Sequence, residues 1–255
     1  MYQRPSQPAQ IGSVVDDAVK LYRASFRRCA PIAVLGALIS AALDVFVVAF
    51  AHHEGMPFNS LEASLLVYQQ PPVVALGILQ SVLLLGIMGS LLVMQNAVVT
   101  GDLGMTVAQA MAVGFTRLGR FVMGTLVYLA VTLLGCLIII PGIYIGNAWS
   151  LYPAAVYVDD AGGIQSLEAS RQLTVGNWWH AATVLGVAFA AVLIVAMLSD
   201  FAAGMLELAG NPGGAAVQSA MQLVGDIADV FLLPMVPAAL LALYNDLKLR
   251  RRAVR

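Results

Sequence analysis

Charge is scarce in this sequence. Only 11% of its 255 residues are Asp, Glu, Lys or Arg, while 60% are hydrophobic. Soluble domains carry about a quarter charged residues, so this chain could not cover its own surface with polar groups. Lipid must solvate it. Cysteine is nearly absent: Cys29 and Cys136 are the only two, far apart, which excludes a disulfide framework or a cysteine metal site. Both read as packing residues. Also missing are Gly-x-Ser-x-Gly, His-Glu-x-x-His and any phosphate-cradling glycine motif. No enzyme, metal or cofactor is therefore expected, and no nucleic-acid partner. The first apolar run starts near residue 31, behind Arg27 and Arg28. It is too long for a signal-peptide core, so no cleavable signal is expected.

What is present is a series of long apolar runs. A helix needs about 20 such residues to cross about 30 Å of hydrocarbon. Candidate spans are 31–51, 72–98, 121–140, 143–158, 181–199 and 222–244. The third and fourth are joined only by Pro141-Gly142. One helix over 121–158 would be about 57 Å long, so a tight hairpin is expected, with Pro stopping the helix and Gly allowing a left-handed turn. Charge placement fits an even number of crossings. All 13 Lys and Arg precede span one, lie between spans two and three or four and five, or follow span six. The alternate loops hold Glu54, Glu62, Asp200 and Glu207 and no cation. The positive-inside rule puts both termini in the cytoplasm.

Spans one, three and five each follow a short piece of mixed polarity, at 13–28, 106–120 and 165–178. In the first, Asp16, Lys20, Arg23 and Arg27 recur at helical spacing on one face, with Val15, Ala18, Val19, Tyr22 and Phe26 toward the other. Ser13 is placed as its N-cap. Such a helix belongs in the cytoplasmic interface, where its cations meet anionic headgroups. Trp178 and Trp179 suit the same interface as belt residues. The expected fold is all-α: a polytopic membrane protein whose six transmembrane helices form three hairpins, each preceded by a cytoplasmic interfacial amphipathic helix.

Three stretches carry a family likeness: IGSVVDDAVKLYRASFRR near the start, IIIPGIYIGNAWSLYPAAVYVDDAGGIQSLEASRQLTVGNWW in the middle, and LALYNDLKLRRR near the end. Together they resemble the superfamily of bacterial and archaeal membrane proteins that includes YciC-like proteins. The membrane domain of some glycerophosphodiester phosphodiesterases belongs to it as well. The resemblance implies a six-helix protein of the bacterial inner membrane with a link to phospholipid or membrane homeostasis. No phosphodiesterase catalytic domain is expected within these residues.

Intramembrane carboxylates are candidates for function by default, because burying one costs several kcal/mol unless it is paired or protonated. Counted along the helices, Asp44 and Asp229 come to similar depth in the outer third, with Asp226 near the outer boundary. None has a basic neighbour on that side. They are the candidate polar pocket. Adjacent His52 and His53 do not converge as metal ligands must. Pro234 and Pro237 are expected to bend span six. Lys20, Arg23, Arg27, Arg28, Lys248, Arg250, Arg251 and Arg252 are candidate contacts to anionic phospholipids. Two functions follow. One is a non-enzymatic membrane component that organises lipids or a membrane partner, or associates with copies of itself. The other is a small permease or channel-like transporter with the acidic pocket as its entry.

Overall fold

The computed structural model describes residues 2–56, 61–209 and 215–253, and among them there is no strand. The helices are α1 (Ile11–His53), α2 (Leu61–Tyr68), α3 (Pro71–Thr100), α4 (Val107–Thr116), α5 (Leu118–Cys136), α6 (Ile140–Trp149), α7 (Tyr152–Val158), α8 (Gly163–Thr174), α9 (Trp178–Ala209), α10 (Ala215–Leu232) and α11 (Met235–Ala253). Among the described residues, five stretches are long and apolar enough to cross a membrane: Ile11–His53, Pro71–Thr100, Leu118–Cys136, Trp178–Ser199 and Val224–Ala253.

The first interfacial helix and the first span are not separate elements. α1 runs unbroken for 43 residues, about 64 Å. Pro31 sits inside it and removes one backbone donor. The helix continues because both sides of Pro31 pack into one core: Leu21, Cys29, Ile32 and Ala33 are fully buried. The second and third interfacial pieces are distinct, as α4 and α8. Thr106 caps α4 with a reciprocal pair, its Oγ1 accepting from Gln109 N–H at 3.2 Å while Gln109 Oε1 accepts from Thr106 N–H at 2.9 Å. α8 ends before Gly176, whose φ of +80° turns the chain into α9.

The fourth expected span, 143–158, is no single helix. It is α6 of 10 residues and α7 of 7 residues, broken at Ser150-Leu151 just before Pro153. α8 repairs the break. Leu151 N–H donates to Ser170 Oγ at 3.1 Å, and the Ala148 carbonyl accepts from Ser170 Oγ at 2.8 Å and Thr174 Oγ1 at 3.1 Å. The turn before α6 also differs from expectation. Its left-handed residue is Ile139, at φ 49°, ψ −66°, where Ile140 N–H bonds back to the Ile138 carbonyl. That geometry is close to a γ-turn. Gly142 is helical, and its role is close approach: a Cβ there would lie 2.5 Å from Cys136 N.

The last apolar stretch is interrupted rather than bent. α10 ends at Leu232 and α11 begins at Met235, since Pro234 and Pro237 cannot supply the next donors. Gln95, fully buried in α3, donates to the Pro234 carbonyl at 2.7 Å, and Tyr22 Oη donates to the Phe231 carbonyl at 3.2 Å.

The core gathers at the end bearing both termini. Leu21 and Ile32 of α1, Leu91 of α3, Phe121 of α5, and Leu241 and Tyr244 of α11 are fully buried there, and α7 is buried from Tyr152 to Tyr157. Away from it, large apolar side chains are exposed on α5, α6 and α9, up to 81% at Leu137 and 79% at Ile140 on the α5–α6 turn. Such surface is compatible with lipid contact.

Candidate functional site

Three aspartates hold the terminal end together. Asp246, only 5% exposed, lies on α11 within Tyr244–Leu247. Its Oδ1 accepts from Ala9 N–H at 2.7 Å, and its Oδ2 from Arg250 Nε at 2.7 Å. His180 Nε2, from the start of α9, lies 3.0 Å from the same Oδ2. Arg250 also donates to the Ala9 carbonyl, and Arg4 to Asn245 Oδ1 at 2.9 Å. Asp159, after α7, accepts from Tyr244 Oη at 2.6 Å and from Lys248 Nζ at 2.5 Å. Asp160, held at φ 57°, pairs with Arg120 at 2.8 Å and Arg117 at 3.1 Å. Arg117 also donates to the Tyr157 carbonyl at 3.0 Å.

Each of these carboxylates accepts from at least two donors in fixed positions. Their work is to join the N-terminal segment, the α4–α5 joint, the end of α7, the start of α9 and α11. Beside them, burial and the Asp17 carboxylate, 2.7 Å away, push the Tyr2 hydroxyl up from its ordinary value.

Sequence reasoning passed over Asp159, Asp160 and Asp246. A signal existed: two adjacent acids directly after an apolar run, and one acid four residues before Arg250. The same geometry corrects part of the lipid-contact set. Lys248 and Arg250 are engaged with Asp159 and Asp246. Arg28 turns inward and donates to the Leu103 carbonyl at 3.0 Å, and Arg251 reaches Gln172 Oε1 at 3.1 Å. Arg252 is exposed. Lys20, Arg23 and Arg27 remain exposed along one face of α1, and none makes a hydrogen bond or ion pair among the described residues.

The other candidates lie far along α1 and on α10. Asp44 on α1 and Asp226 and Asp229 on α10 are half-buried, and the two helices pack against each other. None makes a hydrogen bond or ion pair among the described residues. His53 Nδ1 lies 3.3 Å from Glu54 Oε1, both exposed. Among the described residues no three His, Cys, Asp or Glu side chains are grouped to hold a metal. The side chains of Glu62, Asp200 and Glu207 lie outside those described.

The Gly-Asn-Trp-Trp stretch has a packing role. Trp178 stacks on Tyr144 of α6 with ring centroids 5.8 Å apart, its Nε1 donates to the Tyr144 carbonyl at 3.1 Å, and Asn147 Nδ2 donates to the Trp178 carbonyl at 3.1 Å. Trp179 is 78% exposed. Comparison with family models, with curated proteins and with solved structures gives no match for this chain.

Proposed function

We propose that this chain is a non-enzymatic, multi-pass protein of a bacterial inner membrane, akin to YciC-like proteins, that organises anionic lipids through the exposed cations of α1. Both termini lie in the cytoplasm. The observation that carries this is the division of the cations. Most are engaged at the terminal end, whereas Lys20, Arg23 and Arg27 stay unpaired and exposed on one helix face beside an apolar one. Each such cation near an anionic surface contributes about 1 kcal/mol of attraction.

The six-span expectation is narrowed. α1, α3, α9 and the α10–α11 pair cross as two hairpins. α5 and α6 form a third hairpin that enters the lipid and returns on the side it came from. The first turns of α5 are held in the core by Phe121 and Gly124, which leaves about 15 Å of α5 projecting from Leu126 to Cys136. α6 is also about 15 Å long, half the hydrocarbon thickness. Its Tyr144 rests against Trp178, at the end of α9 where that helix enters. The count of crossings stays even, so the termini stay on one side.

The test is lipid composition. Protein reconstituted in equal phosphatidylglycerol and phosphatidylcholine, then excised in polymer discs, should carry phosphatidylglycerol above the bulk ratio. Raising salt should reverse the excess, because the attraction decays within a Debye length of about 10 Å at 0.1 M. A bulk ratio at low salt contradicts the proposal. A second reading, a small permease, is supported by three half-buried aspartates, Asp44, Asp226 and Asp229, on the packed helices α1 and α10. Its test is proton- or cation-dependent flux in proteoliposomes that disappears in Asp229→Asn.

A further inference from the structure

An apolar groove of about 310 Å³ runs between α1, α9 and the α10–α11 junction. Val15, Val19 and Tyr22 line one wall, Val187 and Ala191 the second, and Phe231 the third. Leu232 and Met235, on either side of the α10–α11 break, also line it. Along α9 the groove extends from Val184 to Val195, about 16 Å. That is close to one leaflet's share of about 30 Å of hydrocarbon.

Two polar groups stand in its walls. The Tyr22 hydroxyl is already used on the Phe231 carbonyl. The other is Arg23, exposed and without an ion pair among the described residues. Arg23 also lines a second, polar cleft of about 700 Å³, together with Gln3, Ser13, Asp17 and Lys20. The one acid in that cleft, Asp17, accepts the Tyr2 hydroxyl at 2.7 Å, so Lys20 and Arg23 give it a positive balance. Groove and cleft therefore meet at a cation, apolar on one side and polar on the other. Two further apolar grooves, one against α3 and α5 and one on the other side of α9, have no charged residue in their walls.

We propose that this groove holds an acyl chain of one anionic phospholipid, with its phosphate taken by Arg23 at the mouth of the polar cleft. This rests on the lipid-organising role proposed above and adds to it one defined, tightly held lipid. Charge complementarity selects the occupant. A purely apolar partner helix would leave the cation facing hydrocarbon, whereas a free anion would leave the groove empty.

The full chain, stripped of lipid in detergent, is titrated with phosphatidylglycerol or phosphatidylcholine of identical chains, and bound lipid is counted by native mass spectrometry. One phosphatidylglycerol should bind at roughly tenfold lower concentration than phosphatidylcholine, the scale of one charge-assisted hydrogen bond. Arg23→Gln should abolish that preference, weakening phosphatidylglycerol more than phosphatidylcholine, whose choline ammonium already offsets the shared phosphate. Ala191→Trp should remove the bound lipid of either headgroup, as should Val187→Trp at a half-exposed position where a larger side chain does not disturb the core. Equal affinity of the two lipids in the wild-type chain would overturn the proposal. So would lipid retained by both tryptophan variants, or inorganic phosphate competing as well as the intact lipid. Loss of this single lipid with the wider phosphatidylglycerol excess intact sinks the groove alone; absence of that excess sinks the lipid-organising role.

Discussion

Asp246 is nearly sealed from solvent, and its two oxygens serve the N-terminal segment, α9 and α11 together. Removing one partner of a buried ion pair leaves an uncompensated charge, a cost of about 3–5 kcal/mol. Asp246→Ala should therefore lower the unfolding midpoint in detergent by an amount of that order, and an unchanged midpoint would show that water replaces the carboxylate. Asp229 should respond in the opposite sense. Asp44, Asp226 and Asp229 are half-buried on α1 and α10, with no cation paired to them among the described residues. Asp229→Asn keeps the shape and removes one charge, so the unfolding midpoint should rise. A fall would mean that the carboxylate holds a partner. Depth counting along two apolar runs is what singled out these three residues in the sequence. It hid the roles of Lys248 and Arg250, because a basic cluster after a last span reads as a topology anchor until Asp159 is seen beside Tyr244.

At the scale of the elements, the apolar runs were the most legible features and helix starts were not: Ser13, expected to cap the first helix, lies inside α1, which begins at Ile11 behind Gln10, and Pro234, expected to bend span six, lies between α10 and α11. Continuity was not legible. Pro31 looks like a boundary, yet α1 passes through it on the strength of burial at Cys29, Ile32 and Ala33, which depends on partners distant in sequence. The split of 143–158 was hidden for the same reason, since Ser170 and Thr174 on another helix accept its cost. In the α5–α6 turn, Gly142→Ala drives a Cβ against Cys136 backbone, which cannot yield as a flexible side chain does. The cost should be about 1–3 kcal/mol in the unfolding midpoint. Ile139→Gly should stabilise by about 1 kcal/mol, because a β-branched residue is strained at φ 49°. Cys136, exposed near the same turn while Cys29 is buried, reports where the hairpin ends. A membrane-impermeant thiol reagent outside the cell should leave Cys136 unmodified until detergent is added. Modification from outside would restore a full crossing by α5 and α6.

For the whole molecule, everything proposed about lipids depends on which side the terminal end faces. In the role proposed here that side is the cytoplasm, which is what the positive-inside rule expects from every Lys and Arg falling in alternate loops. The structure adds that the engaged cations join elements at one end, where Arg4, Arg117, Arg120, Lys248 and Arg250 meet Asn245, Asp159, Asp160 and Asp246. Reversing the molecule would turn Lys20, Arg23 and Arg27 away from the anionic leaflet and remove the basis of the lipid role. The most direct measurement is therefore a set of reporter fusions after residues 60, 104, 162, 212 and 255, using a reporter active only outside the cytoplasm paired with one active only inside it. Fusions after 60 and 212 should report the exterior, and those after 104, 162 and 255 the cytoplasm. A cytoplasmic signal at 212, or an exterior one at 255, would contradict the orientation and the lipid role that depends on it.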